Sequence, residues 1–255
     1  MIRRVSIFAF GVASYATFFA TFLYAIGFVG NFGVPRTIDG PLQGSLAAAI
    51  LINLGLLGLF AVQHSVMARQ GFKRWLTRFV PEPAERSVYV LASSAALLLL
   101  FWQWQPIGGM VWQVERPAGQ VALYGLFAFG WLTVLVSTFL INHFDLFGLR
   151  QVWLYLRGEP YRPLTFGTPG PYRYVRHPLY VGWLFAFWAT PTMTAAHLLF
   201  AVMTTAYILI AIQFEERDLV AAQPEYESYR ARGPMLIPSG RRSAADDTGA
   251  RTARA

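Results

Sequence analysis

Four apolar runs free of Asp, Glu, Lys and Arg, at 5–30, 46–67, 88–104 and 121–141, constrain this chain more than any other feature. Each is close to or beyond the roughly 20 helical residues that cross about 30 Å of hydrocarbon. In that medium only helices and closed barrels satisfy every backbone hydrogen bond. The runs therefore predict an all-α, polytopic transmembrane bundle. A fifth stretch, 179–214, holds 36 residues without such a charge and is interrupted by Thr190-Pro191-Thr192. It reads as a hairpin of two helices, each somewhat short for a full crossing, which brings the total to about six spans.

Composition agrees, since 55% of the residues are hydrophobic and 13% charged, too apolar a balance for a soluble domain of 255 residues. A signal peptide has an apolar core of about 7–15 residues, so the run after Arg3 and Arg4 is a first span. The net charge of +8 lies between the runs, which points to membrane topology and away from nucleic acid. Arg3 and Arg4, then Arg69, Lys73, Arg74, Arg78 and Arg86, then Arg150, Arg157, Arg162, Arg173 and Arg176 occupy alternate segments; the intervening ones hold Arg36, Arg116 or no cation. By the positive-inside rule both termini are cytoplasmic. The chain has no cysteine, which excludes disulfides, thiolate metal sites and a cysteine nucleophile. Any thiol chemistry must use a substrate's sulfur, and no metal is expected.

This topology divides the chain into a four-span bundle (1–142), an interfacial helix followed by a C-terminal hairpin that carries a cytoplasmic module (143–238) and a small, polar tail (239–255) expected to be disordered. Leu146, Leu149, Trp153 and Leu156 recur at helical spacing, with Asp145 as N-cap and Gly158 as stop, which predicts the interfacial helix. His64, His143, Asp145, His177, Glu215 and Glu216 all fall at the cytoplasmic ends of their spans, where they can converge. His197 falls at the opposite turn and reads as structural. Gly170-Pro171 turns the chain toward a helix opened by Pro178, whose unpaired N–H groups suit an anionic group; a plain capped helix start satisfies the same spacing. Glu215 and Glu216 lie about 100° apart on a helix, so one can face the bundle. Acids at a membrane edge are expensive and point to function, although a salt bridge to Arg176 or Arg217 explains them equally. Gly55 and Gly58 read as helix-packing residues, and Asn53 is the most prominent mid-span polar group.

Arg176-His177-Pro178-Leu179-Tyr180, followed after 34 residues by Glu215-Glu216 and then by Tyr226, Tyr229 and Leu236-Ile237-Pro238, resembles the cofactor module of the isoprenylcysteine carboxyl methyltransferase-like membrane methyltransferases. Gln63 to Arg69, Pro81 to Ser87, Phe101 to Trp104 and Ile141 to Gly148 resemble a bacterial branch of that superfamily that acts on small thiols. The resemblance implies an enzyme of the bacterial inner membrane that moves a methyl group from S-adenosylmethionine to methanethiol, giving dimethyl sulfide and S-adenosylhomocysteine. It assigns cofactor binding to Tyr172, Arg176, His177, Pro178, Tyr180, Glu215 and Glu216, with Tyr226 and Tyr229 as lid or support. The soluble fingerprint G-x-G-x-x-G is absent.

Such a transfer needs a thiolate, and simple alkanethiols are less acidic than a cysteine-like thiol of pKa about 8.5. A neutral imidazole is the natural proton acceptor, which makes His64 and His143 the candidate bases. Arg86 would attract the thiolate. Asp145 can orient His143 only if the chain leaves the helix between them, because residues two apart point to different sides. Two other readings use the same residues. A prenylcysteine carboxylate or a lipid headgroup could replace the small thiol as acceptor. The first four spans also resemble denitrification-associated membrane proteins and haem-containing carotenoid isomerases, which would make His64 and His143 axial ligands. Expected partners are the small thiol and membrane lipid; no oligomeric state is legible.

Overall fold

A computed structural model describes residues 1–164 and 167–237. The expected closing Pro238 and the tail 239–255 lie outside the described residues. The chain is an integral membrane protein, an all-α bundle with five helices long and apolar enough to cross a bilayer: α1 (Ile2–Gly30), α2 (Leu46–Ala68), α4 (Glu85–Gln103), α5 (Pro117–Ile141) and α9 (Ala195–Ala222). Shorter helices are α3 (Gln70–Leu76), α6 (His143–Leu146), α7 (Leu149–Arg157), α8 (Pro178–Trp188) and α10 (Pro224–Arg232). Strands β1 (Met110–Gln113) and β2 (Thr192–Thr194) pair antiparallel between the membrane helices.

The hairpin expected over 179–214 is unequal. Its first limb, α8, has 11 residues and is about 16 Å long at 1.5 Å per residue, half of what a crossing needs. The chain then continues in extended form into β2, held by the bond from Val114 N–H to the Pro191 carbonyl (2.8 Å). The second limb, α9, has 28 residues and is long enough alone.

Helix α8 packs chiefly on α5 through two glycines. A Cβ on Gly182 would lie 2.8 Å from both the Gly130 carbonyl and the Val134 nitrogen, and one on Gly130 would lie 2.5 Å from the Ala186 nitrogen. The backbones touch. Gly55 and Gly58, expected to pack helices, instead face open space, with nothing within 4 Å of where a Cβ would stand. Around the α5–α8 seam an aromatic core joins five helices, with Phe28 and Phe101 4.7 Å apart, Trp131 and Trp183 5.2 Å, and Phe187 and Phe200 5.1 Å between ring centres.

Asn53, the mid-span polar residue, is a fastener. Fully buried in α2, its Nδ2 donates to the Gln105 carbonyl (2.7 Å) and its Oδ1 accepts from the Gln105 N–H (2.9 Å), just past the end of α4. Asn53→Leu strands both backbone groups in an apolar interior, at about 1–3 kcal/mol. The variant is expected to aggregate at a lower temperature than wild type in detergent; equal thermal survival would contradict this account.

At the same end of the bundle His197, 1% exposed, donates from Nε2 to the Phe187 carbonyl (2.9 Å) and ties α9 to α8. Thr194 caps α9, its Oγ1 accepting from the His197 N–H (3.2 Å). His197 is structural here, as its position suggested.

At the other end, Asn142 takes a positive φ of 140° and breaks α5 from α6. Its side chain accepts from the Asp145 N–H (3.1 Å) and caps α6. Asp145 therefore is not the cap of the interfacial helix: α7 begins after Gly148, itself at φ 87°, and ends at Gly158 as expected. A side chain at 148 would meet Ser87 Oγ at 2.9 Å, so glycine there lets this loop rest against the start of α4.

Candidate active site

The start of α8 and the end of α9 meet in a dense polar corner. Glu216 is buried, and its Oε1 accepts from His177 Nε2 (2.9 Å) and from Arg176 Nη2 (3.2 Å). Arg176 also donates through Nη1 to the Arg230 carbonyl on α10 (3.1 Å). One residue earlier and about 100° around the helix, Glu215 is exposed and accepts from the Tyr180 hydroxyl (2.8 Å). The adjacent acids thus diverge as helical geometry requires. The segment after α10 returns over this corner, where Arg176 N–H donates to the Pro234 carbonyl (2.9 Å) and His177 N–H to that of Met235 (3.2 Å). Those two N–H groups, free by sequence spacing alone, are thus occupied; the first-turn donors of Leu179 and Tyr180 remain outside the helical ladder. Pro178 sits in that first turn, where its missing N–H costs nothing.

Tyr229 braces the turn before α8 by donating to the Tyr172 carbonyl. Burial pushes the Tyr229 phenol up to about 12, against the opposing pull of Arg176. Burial, then the negative charge of Glu215, raises Tyr172 as well. Both are neutral donors near pH 7. Among the described residues the Tyr172 hydroxyl, Arg176 Nε and the Gln223 amide oxygen are buried without a hydrogen-bond partner. The Tyr172 hydroxyl approaches Ser137 without closing a normal bond. Unsatisfied donors and acceptors of this kind cost about 1–3 kcal/mol each unless a ligand meets them, so the corner fits a polar, partly charged small molecule.

A second polar cluster lies at the same end. Arg69 at the foot of α2 pairs with Asp218 on α9 (2.8 Å), which brings α2 level with Glu215. One turn up α2, His64 stacks on Phe60 (5.1 Å); its Nδ1 lies 3.2 Å from Ser93 Oγ, and the Tyr89 hydroxyl lies 3.1 Å from Nδ1 and 2.8 Å from Nε2. The Arg86 guanidinium stands 5.5 Å over the Tyr89 ring and has no carboxylate partner among the described residues. Burial, then Arg86, holds the Lys73 amine below its usual range. Tyr207 on α9 bridges to α2 at Ser65 (3.1 Å). Tyr89 and Tyr180 lie within electrostatic reach of each other, and both of Tyr207 and Glu215. The His64 cluster and the α8–α9 corner thus face each other as two parts of one candidate site.

His143 is elsewhere. Only 2% exposed, it is stacked under Phe139 (4.2 Å), with Tyr15 Oη 2.8 Å from Nε2 and Thr138 Oγ1 2.8 Å from Nδ1. Burial lowers its pKa, so the ring is neutral. Asp145 does not orient it: that carboxylate binds Arg150 (2.7 Å) and accepts from Tyr161 (3.3 Å). An axial haem ligand needs an open nitrogen, and in both His64 and His143 each ring nitrogen has a hydroxyl beside it.

No motif pointed to Tyr89, Ser93, Tyr207 or Gln223. Helical spacing held a signal for two of them: Tyr89 follows Arg86 by three residues, and Tyr207 precedes Glu215 by eight, each on a shared helix face.

Residues 120–223, from α5 to just past α9, match the family described as phospholipid methyltransferase. This match, on an all-α membrane bundle, makes the chain a membrane-embedded methyltransferase, an enzyme that takes its methyl group from a donor. The chain is 59% identical to the methanethiol S-methyltransferase of Crocosphaera subtropica over 238 residues, 93% of each chain. It is 58% identical to that of Mycobacterium tuberculosis (92% of this chain, 97% of the other). With methanethiol S-methyltransferase 1 of Bradyrhizobium diazoefficiens the identity is 55% (91% and 81%). It belongs to the methanethiol S-methyltransferase family. No solved structure matches the chain.

Proposed function

We propose that this enzyme transfers the methyl group of S-adenosylmethionine to methanethiol, releasing dimethyl sulfide and S-adenosylhomocysteine, in a bacterial inner membrane with both termini cytoplasmic. The observation that carries the reading is the meeting of the Arg176–His177–Glu216 corner with the His64 cluster, in a chain whose relatives are so closely similar along nearly their whole length. S-adenosylmethionine, when bound, supplies an electrophilic methyl group on a sulfonium sulfur.

Tyr172, Arg176, His177, Pro178, Tyr180, Glu215 and Glu216 hold the donor. The first-turn N–H groups of α8 and Arg176 suit its carboxylate, and Glu215 suits its hydroxyl or ammonium groups. His64 is the base that receives the thiol proton, and Arg86 attracts the resulting anion. His143 has the same chemistry, but its ring is sealed between α1 and α5, and Asp145 supports α7 through Arg150.

The test is headspace detection of dimethyl sulfide from purified protein given methanethiol and S-adenosylmethionine. Wild type is expected to produce it, with losses of about 100-fold for His64→Ala, in line with the usual worth of a general base, and a clear loss for Glu215→Ala. Binding of the donor without any dimethyl sulfide would turn attention to lipidic acceptors.

A further inference from the structure

Both nitrogens of His64 lie against hydroxyls of its own chain. Nδ1 lies 3.2 Å from the Ser93 hydroxyl and 3.1 Å from that of Tyr89, Nε2 lies 2.8 Å from the same Tyr89 hydroxyl, and one ring face is covered by Phe60. The hydroxyl that meets both nitrogens is therefore the nearest proton donor and acceptor to this base. The Tyr89 phenol stands between His64 and the charged side of the site, where Arg86 lies over its ring at 5.5 Å and Glu215 and Tyr207 lie within electrostatic reach. A phenol can give one proton and accept another at the same oxygen.

We propose that Tyr89 is a catalytic relay: the acceptor thiol docks against its hydroxyl beneath Arg86, and His64 takes the thiol's proton through it. This rests on the reading of the enzyme as a thiol methyltransferase. As the thiol S–H bond breaks, its proton passes to the Tyr89 oxygen while the phenol's own proton passes to His64 Nε2. Tyr89 ends neutral and His64 ends as imidazolium. The sulfur pair freed in this way forms the bond to the methyl carbon, whose bond to the sulfonium breaks with its electron pair left on the departing thioether. The imidazolium later returns its proton to water. Arg86 stabilises the anionic sulfur during the exchange, and Ser93 follows either protonation state because its hydroxyl also donates or accepts.

Tyr89→Phe tests this, since it keeps the ring and its contact with Arg86 and removes only the oxygen. The expected result is a fall in kcat of about 100-fold near neutral pH, with log kcat climbing by about one per pH unit as the thiol ionises by itself. His64→Ala should show the same profile, and the double variant should be no slower than either single one, as for groups that act as a unit. Calorimetric binding of S-adenosylhomocysteine should be unchanged in Tyr89→Phe. A loss of equal factor at every pH, a further loss in the double variant, or full activity would overturn the relay while leaving the methyltransferase reading intact. A wild type that binds S-adenosylhomocysteine yet makes no dimethyl sulfide would overturn both.

Discussion

Glu216→Ala is expected to eliminate methyl transfer and to weaken binding of S-adenosylhomocysteine by about 100-fold or more. The carboxylate is buried and is met by two side chains from α8's start, His177 at 2.9 Å and Arg176 at 3.2 Å. Removing one partner of a buried pair costs about 3–5 kcal/mol, because the other charge is left uncompensated. Arg176 already holds a buried Nε without a partner, so its guanidinium would be left with the Arg230 carbonyl alone. The 176–177 turn, on which 234–235 also rests, would lose its anchor. Two comparisons separate this account from general damage. Glu216→Gln should recover part of the binding by restoring an acceptor for His177. Arg176→Ala added to Glu216→Ala should raise thermal survival above that of Glu216→Ala, because no orphaned charge remains. If Glu216→Ala binds S-adenosylhomocysteine within about threefold of wild type, the corner does not hold the donor.

Gly182→Leu is expected to prevent assembly altogether, seen as loss of monodisperse protein on extraction. The first side-chain carbon would enter 2.8 Å from the Gly130 carbonyl and 2.8 Å from the Val134 nitrogen. These are backbone atoms of a helix, so no rotamer change relieves the overlap; α8 and α5 would have to separate. In lipid, helix association depends on such close approach, since the tails are as apolar as the side chains. Gly182→Ala should already reduce yield, whereas Gly55→Ala and Gly58→Ala, with nothing within 4 Å, should be neutral. Recovery of folded Gly182→Leu would show that α8 does not sit directly on α5.

The legible parts of this protein are those written in local pattern. Hydropathy alone placed α1, α2, α4 and α5, because lipid leaves an apolar run of about 20 residues one way to satisfy its backbone. Helical rotation alone separated Glu215 from Glu216, and Gly158 marked the end of α7. The motif from Arg176 to Tyr180 with the distant acid pair pointed to the corner that the fold assembles.

Partner choice was not local. His64 and His143 look alike in sequence, each near the end of an apolar helix, yet one meets Tyr89 and Ser93 beside the α8–α9 corner and the other is closed between Tyr15 and Thr138. Asp145 belonged to Arg150, Asn53 to Gln105, and the glycines of the α5–α8 seam were Gly130 and Gly182. The length of α8 could not be read either, since an extended segment and a helix of the same apolar residues have the same hydropathy. The sequence by itself determined that the chain crosses a membrane and carries a polar module at one end. Only the tertiary structure decided which side chains face one another there, because a contact between residues 25 or 39 positions apart depends on how whole helices pack, which no window along the chain records.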